Sequence, residues 1–335
     1  MNIRAILGSL LIAVLLIWGC TVDFDVEAEW KDIPIVYAFI SIQDTAHYVR
    51  VQKAFLEPGG NAVEIAQIAD SIYYQNIGVE LVNIGTGQTV ALERVDGNLE
   101  GYPKEEGVFA NSPNVLYKVR ANRLNLRGGE RLRLVLNRGD ELPLVTAETI
   151  VVGEIDSIPS LPSRNINRWL YTELRQLGWR PGPEARIFDV RLVLHYRDSR
   201  LSNPSAFENK RFEWVVNPSV FNDANETRLT VNASGDAFYR AIGNNIPEIP
   251  DAIRLFEELE LVVTGGGDEL YQFIRLRQAN TGITSAQNLP VYTNLSEGLG
   301  VFTSRYTLRR GGIRLQQEAR DTLANGIYTK HLNFR

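Results

Sequence analysis

Ile187-Phe188-Asp189-Val190-Arg191-Leu192-Val193-Leu194-His195-Tyr196-Arg197 is the stretch that decides the fold class. Phe188, Val190, Leu192, Leu194 and Tyr196 share one phase of a two-residue period; Asp189, Arg191, His195 and Arg197 share the other. Successive side chains of a β-strand point to opposite faces, so this is a strand with one face dry and one wet. Arg131 to Leu136 repeats the pattern, with Leu132, Leu134 and Leu136 opposed to Arg131 and Arg133.

Outward from these two, strands are predicted at Ile33–Ser41, His47–Leu56, Gly78–Ile84, Gln88–Val95, Val115–Ala121 and Leu142–Val152. Gly85-Thr86-Gly87 between two of them is a hairpin signal. Short strands with regular turn signals predict an N-terminal β-sandwich of transthyretin or immunoglobulin type over residues 33–157. The Pro/Ser-rich stretch 158–163 reads as a linker, and 164–335 as a second β-rich domain with a few short helices. Its further strands are Arg211–Val216, Thr227–Val231 and Leu259–Thr264. The helices are expected at Val63–Tyr74, Asn165–Gly178, Asp236–Ile242 behind Ser234, and Glu269–Gln278 with Leu270, Phe273 and Ile274 inward. The fold class is mostly β.

Composition narrows the function. The chain carries 35 basic and 40 acidic residues, a net charge of −5. Nucleic acid demands a basic patch, so no nucleic-acid partner is expected. Cys20 is the only cysteine and the three histidines, His47, His195 and His331, are scattered. No disulfide, no metal and no cofactor is therefore expected.

Cys20 has its own meaning. Arg4 precedes an apolar run from Ala5 to Trp18, and Gly19-Cys20 follows. Fourteen residues are too few to cross a hydrocarbon core about 30 Å thick, so residues 1–19 read as a secretory signal peptide. A small residue before cysteine resembles a bacterial lipobox, which makes Cys20 the lipidation site and 20–32 an acidic tether. Two or more acyl chains would hold the protein to a membrane, since each buried methylene contributes about 0.8 kcal/mol.

Candidate chemistry is sparse. Ser41, Asp44 and His47 hold the triad residue types, but an Asp at a turn tip is placed to accept backbone N–H groups. Glu257, Glu258, Glu260, Asp268 and Glu269 could pair as glycosidase carboxylates. Asn222 to Glu226 offers oxygen ligands for calcium, without the DxDxDG spacing. Gly265-Gly266-Gly267 before a helix lacks the phosphate-loop pattern and reads as a turn, with Asp268 as N-cap. Trp169, Tyr171 and Trp179, among arginines, are candidates for an exposed interaction cluster. Asn294, Gly298 and Gly300 are candidates for a partner surface or a demanding turn.

Ile155-Asp156-Ser157-Ile158, Asp268 to Ile274 and above all Thr293-Asn294-Leu295-Ser296-Glu297-Gly298-Leu299-Gly300-Val301-Phe302 together resemble one family. These blocks are similar to the Bacteroidota lipoproteins of domain-of-unknown-function family 4249, whose domain closes on a TNI-x-x-GxGxF block. The similarity spans about Ile33 to Tyr306. It implies an outer-membrane lipoprotein, on the cell surface or the periplasmic face, often encoded beside TonB-dependent receptors, and it carries over no catalytic residue. The expected function is a non-enzymatic binding or accessory module partnered with an outer-membrane TonB-dependent transporter. A surface glycan-active hydrolase with paired carboxylates is the alternative. Replacing Cys20 with alanine is expected to abolish fatty-acid incorporation and release the protein from membranes; radiolabelled palmitate and membrane fractionation read both.

Overall fold

The computed structural model describes residues 32–54, 61–139, 141–279 and 291–335. Cys20, the signal peptide and all of the tether but Asp32 lie outside the described residues. Strand accounts for 46% and helix for 16%, which fixes the mostly β class.

The first unit is a sandwich. One of its layers takes Pro34–Ile40 (β1), Ala46–Lys53 (β2), Glu93–Asp96 (β5) and Val115–Arg120 (β6) in the order β1-β2-β6-β5, which is one end of a nine-stranded sheet that continues into the second unit. The other takes Gly78–Asn83 (β3), Thr89–Ala91 (β4), Arg131–Asn137 (β7) and Val145–Ile150 (β8), ordered β4-β3-β7-β8. Two helical turns, Ala62–Ala66 (α1) and Ala69–Ile72 (α2), stand where one short helix was expected. Val36, Ala38, Val49, Val51, Leu132, Leu134 and Leu136 fill the space between the sheets. The hairpin at Gly85-Thr86-Gly87 forms, with Asn83 Oδ1 accepting from the Gly85 and Thr86 N–H groups. The strand expected over Gln88–Val95 is split: β4 pairs with β3 and β5 with β6. The chain changes sheets at the nearly buried Leu92.

The second unit holds Asp156–Ser157 (β9), Asn165–Ile166 (β10), Leu174–Arg180 (β11), Ile187–Arg200 (β12), Asn203–Phe221 (β13), Leu229–Ser234 (β14), Ala252–Gly266 (β15) and Leu299–Leu315 (β16). Gly235–Asn245 (α3), Asp268–Ala279 (α4) and Gln317–Asn325 (α5) are its helices. As the alternation predicts, Val190, Leu192, Leu194 and Tyr196 of β12 enter its core. Ser234 caps α3, accepting from the Ala237 N–H. The helix expected at Asn165–Gly178 is absent: β10 pairs with β16, and β11 lies between β14 and β9. Local propensity yields there to pairing with a strand some fifty residues away. On α4, Tyr271 is the buried residue, while Leu270, Phe273 and Ile274 are half-buried. The expected linker 158–163 is held fast, since Arg310 donates to the carbonyls of Ile158, Pro159 and Pro162.

A single strand joins the units. Seventeen residues long, about 55 Å at 3.3 Å each, β16 begins in the first unit and ends in the second. Leu299–Ser304 run parallel to Ile35–Ile40 of β1, whereas Arg305–Ile313 run antiparallel to β15. The Thr293–Phe302 block, expected in the second domain, therefore completes the first sandwich, and Phe302 sits in its core. Gly298 and Gly300 both have φ of 110°, a region that L side chains rarely enter. A Cβ on Gly300 would lie 1.9 Å from the Val36 carbonyl oxygen. Only glycine lets β16 come this close to β1. Gly300→Ala is expected to cost about 3 kcal/mol or more, from strain plus displaced ladder bonds, measured by urea unfolding.

Candidate functional site

The carboxylates suggested by the sequence do not converge as a reactive pair. On β15, Glu257 binds Arg197 at 3.1 Å, Glu258 accepts the Gly312 N–H at 2.9 Å, and Glu260 contacts His195 at 3.1 Å and Arg309 at 3.3 Å. Each acid has its own cation or backbone donor on the wet face of the sheet.

The other candidates are engaged likewise. Ser41 Oγ accepts from the Gln43 N–H, Asp44 pairs with Arg305 at 3.2 Å, and His47 is buried with burial lowering its pKa. The Asn222–Glu226 loop closes on itself: Asn222 Oδ1 accepts the Glu226 N–H, and Asp223 accepts from the Tyr271 hydroxyl. Among the described residues no three His, Cys, Asp or Glu side chains group as a metal site.

The aromatic cluster is a correction. Trp169 and Trp179 have 0% exposure, so they are core residues and not an interaction surface. Trp169 stacks on Phe238 with centroids 4.5 Å apart, and the Tyr171 hydroxyl accepts the Ile327 N–H. Asn294 is also structural. Its amide donates to the carbonyls of Glu148 and Phe302 and accepts the Phe302 N–H, which closes the corner between β8 and β16.

What the sequence reading missed lies on the outer face of the first sheet. Val36, Ala38 and Ile40 of β1 point into the sandwich, while Tyr37 and Phe39, each 40% exposed, point away. Arg50 sits directly opposite Tyr37, and Tyr48 lies two residues along the same face of β2. Tyr102, 53% exposed, folds over Tyr48 edge-to-face at 4.8 Å. Tyr48 donates to Glu100, which also pairs with Lys118. Lys104 lies over the Phe109 ring, its pKa lowered by burial and by nearby Arg50. The signal was present in the Ile33–Ser41 run, where aromatics occupy one phase and small aliphatics the other.

One half-buried acid sits at the seam. The Glu269 carboxylate, in the first turn of α4, accepts from Thr149 Oγ1 at 2.8 Å and Thr303 Oγ1 at 3.0 Å. Burial raises its pKa and outweighs these hydrogen bonds. Burial and the charges of Glu269 and Asp268 push the Tyr292 hydroxyl up to about 12.

No protein-family model matches the chain, and no curated protein matches it. Among solved structures, it is similar to a mutant of Salmonella alpha-2-macroglobulin at 9% identity and TM-score 0.20, over 90% of this chain and 16% of that one. CBD12 from CALX1.2 is similar at 11% identity and TM-score 0.19, over 82% of this chain and 100% of that one. The chicken CNTN1 FN1-FN3 domains follow at 9% identity and TM-score 0.16, over 86% and 66%. At such scores these likenesses bear on neither activity nor ligand.

Glu269 gives a pH signature. An acid whose folded pKa is raised adds stability below its unfolded pKa and loses it as pH climbs through the folded value. Glu269→Gln is therefore expected to remove a stability loss that the parent shows above about pH 4.5. Urea unfolding at several pH values measures it, and parallel profiles of parent and variant would contradict it.

Proposed function

We propose that this chain is a non-enzymatic cell-envelope lipoprotein, acylated at Cys20, that works as a binding or accessory module of an outer-membrane TonB-dependent transporter. The observation that carries the reading is the outer face of the first sheet, where Tyr37, Phe39 and Tyr102 stand exposed beside Arg50 and Lys104. Exposed aromatics beside an arginine are the residue types enriched where proteins meet partners. The anchor sequence, the acidic tether and the resemblance to envelope lipoproteins support the same reading. Of the carboxylates a glycan hydrolase would need, Glu257, Glu258 and Glu260 are engaged separately on β15, and Glu269 stands apart at the seam, held by two threonines.

A mild-detergent pull-down through a C-terminal tag tests the reading. A β-barrel receptor is expected in stoichiometric yield. Replacing Tyr37 and Phe39 with serine is expected to cut its recovery about tenfold or more while leaving the melting temperature within a few degrees. Recovery of the chain alone, with turnover of a polysaccharide by the pure protein, would overturn it.

A further inference from the structure

Where the chain enters the first sandwich, one guanidinium binds the segments at Asp32, Pro143 and Glu297, and Tyr74 joins them through Asp32. Arg138, just past β7, has a side chain of 0% exposure. Its Nη1 donates to the Asp32 carbonyl at 3.0 Å and the Asp32 carboxylate at 3.2 Å. Its Nη2 donates to the Pro143 carbonyl at 3.2 Å and the Glu297 carboxylate at 2.7 Å. The Tyr74 hydroxyl, beyond α2, donates to the same Asp32 carboxylate. Burial, then this bond, drives the Tyr74 pKa well above the usual tyrosine range. A guanidinium taken out of water is tolerated only when its partners are in place, so the cluster holds or fails as a unit.

Its position is what gives it meaning. Asp32 lies two residues before β1 and twelve after Cys20. Arg138 leads back into β7 of one sheet, and Glu297 leads into β16 of the other. β1 itself lies between an antiparallel partner and a parallel one. Tension along its axis would therefore load both ladders in shear. Tension that reached β1 at an angle would peel it bond by bond.

We propose that the Arg138 cluster is a force-transmitting latch. It takes tension arriving through the N-terminal segment and divides it between the two sheets before β1 is loaded. The source of tension rests on the reading of Cys20 as the lipid anchor; the latch itself is a property of the folded chain. The latch also sets a polarity. β1 and the first half of β16 run in parallel away from it, and the rest of β16 continues into the second unit. A chain held at Cys20 presents that unit at the far end from its anchor.

The single cysteine makes the test direct, because the full chain in unacylated form offers one native thiol handle. The chain is pulled at constant force between Cys20 and a C-terminal tag. Glu297→Gln and Tyr74→Phe, which remove one partner each, are expected to shorten the lifetime under load by about tenfold or more. The same variants pulled between two cysteines placed in the second unit, with Cys20 replaced by serine, are expected to match the parent. Should Glu297→Gln fail to fold, Tyr74→Phe, which loses only a hydroxyl, carries the test. Unchanged lifetimes from Cys20 would overturn the latch, as would equal shortening in a pull from a cysteine placed in β2, a path that bypasses Asp32. Palmitate labelling in cells addresses the anchor separately, so failure of one reading is told from failure of the other.

Discussion

The close parallel approach of β16 to β1 is the constraint on which the remaining architecture depends. The backbone edge of β1 on the side away from β2 needs a partner strand, and the chain supplies it from residues near its other end. Gly300 makes the approach sterically feasible, and Asn294 fixes its depth by tying Phe302 and Glu148 to one amide. Once β16 is seated, its continuation fixes where β15, and then β12 and β13, join the same sheet. The two units therefore share a backbone ladder in place of a flexible joint.

That arrangement explains the chemistry at the seam. Glu269 is half-buried because α4 starts where β8, β16 and the end of β15 meet, and two threonines from different strands serve its carboxylate. Arg310 performs a related task on the other side by binding three carbonyls of the 158–163 stretch. These polar residues are spent on joining segments. The aromatic face around Tyr37 and Phe39 stands outside these joints.

The glycine-rich block shows how a sequence feature can be distinctive for a structural reason. Thr293 to Phe302 combines an asparagine that ties the β8–β16 corner, two positive-φ glycines and a core phenylalanine within ten residues. Each is demanded by backbone geometry. The same block also supplies Glu297 to the Arg138 cluster, so it organises both the closure of the sandwich and the point where the chain enters it.

The sequence by itself determined the mostly β class, the faces of β7 and β12, the Gly85–Gly87 hairpin and the Ser234 cap. These depend on periods and turn chemistry that are complete within a few residues. It also carried the reading of Cys20, a matter of order along the chain. Only the tertiary structure decided that Trp169 and Trp179 are interior, that β11 is a strand, that the Thr293–Phe302 block belongs to the first sandwich, and that Tyr37 and Phe39 face outward. Strand alternation says that two faces differ; distant partners decide which face is covered. The ladder between Val36 and Gly300 joins opposite ends of the chain, and no local pattern encodes such a pairing.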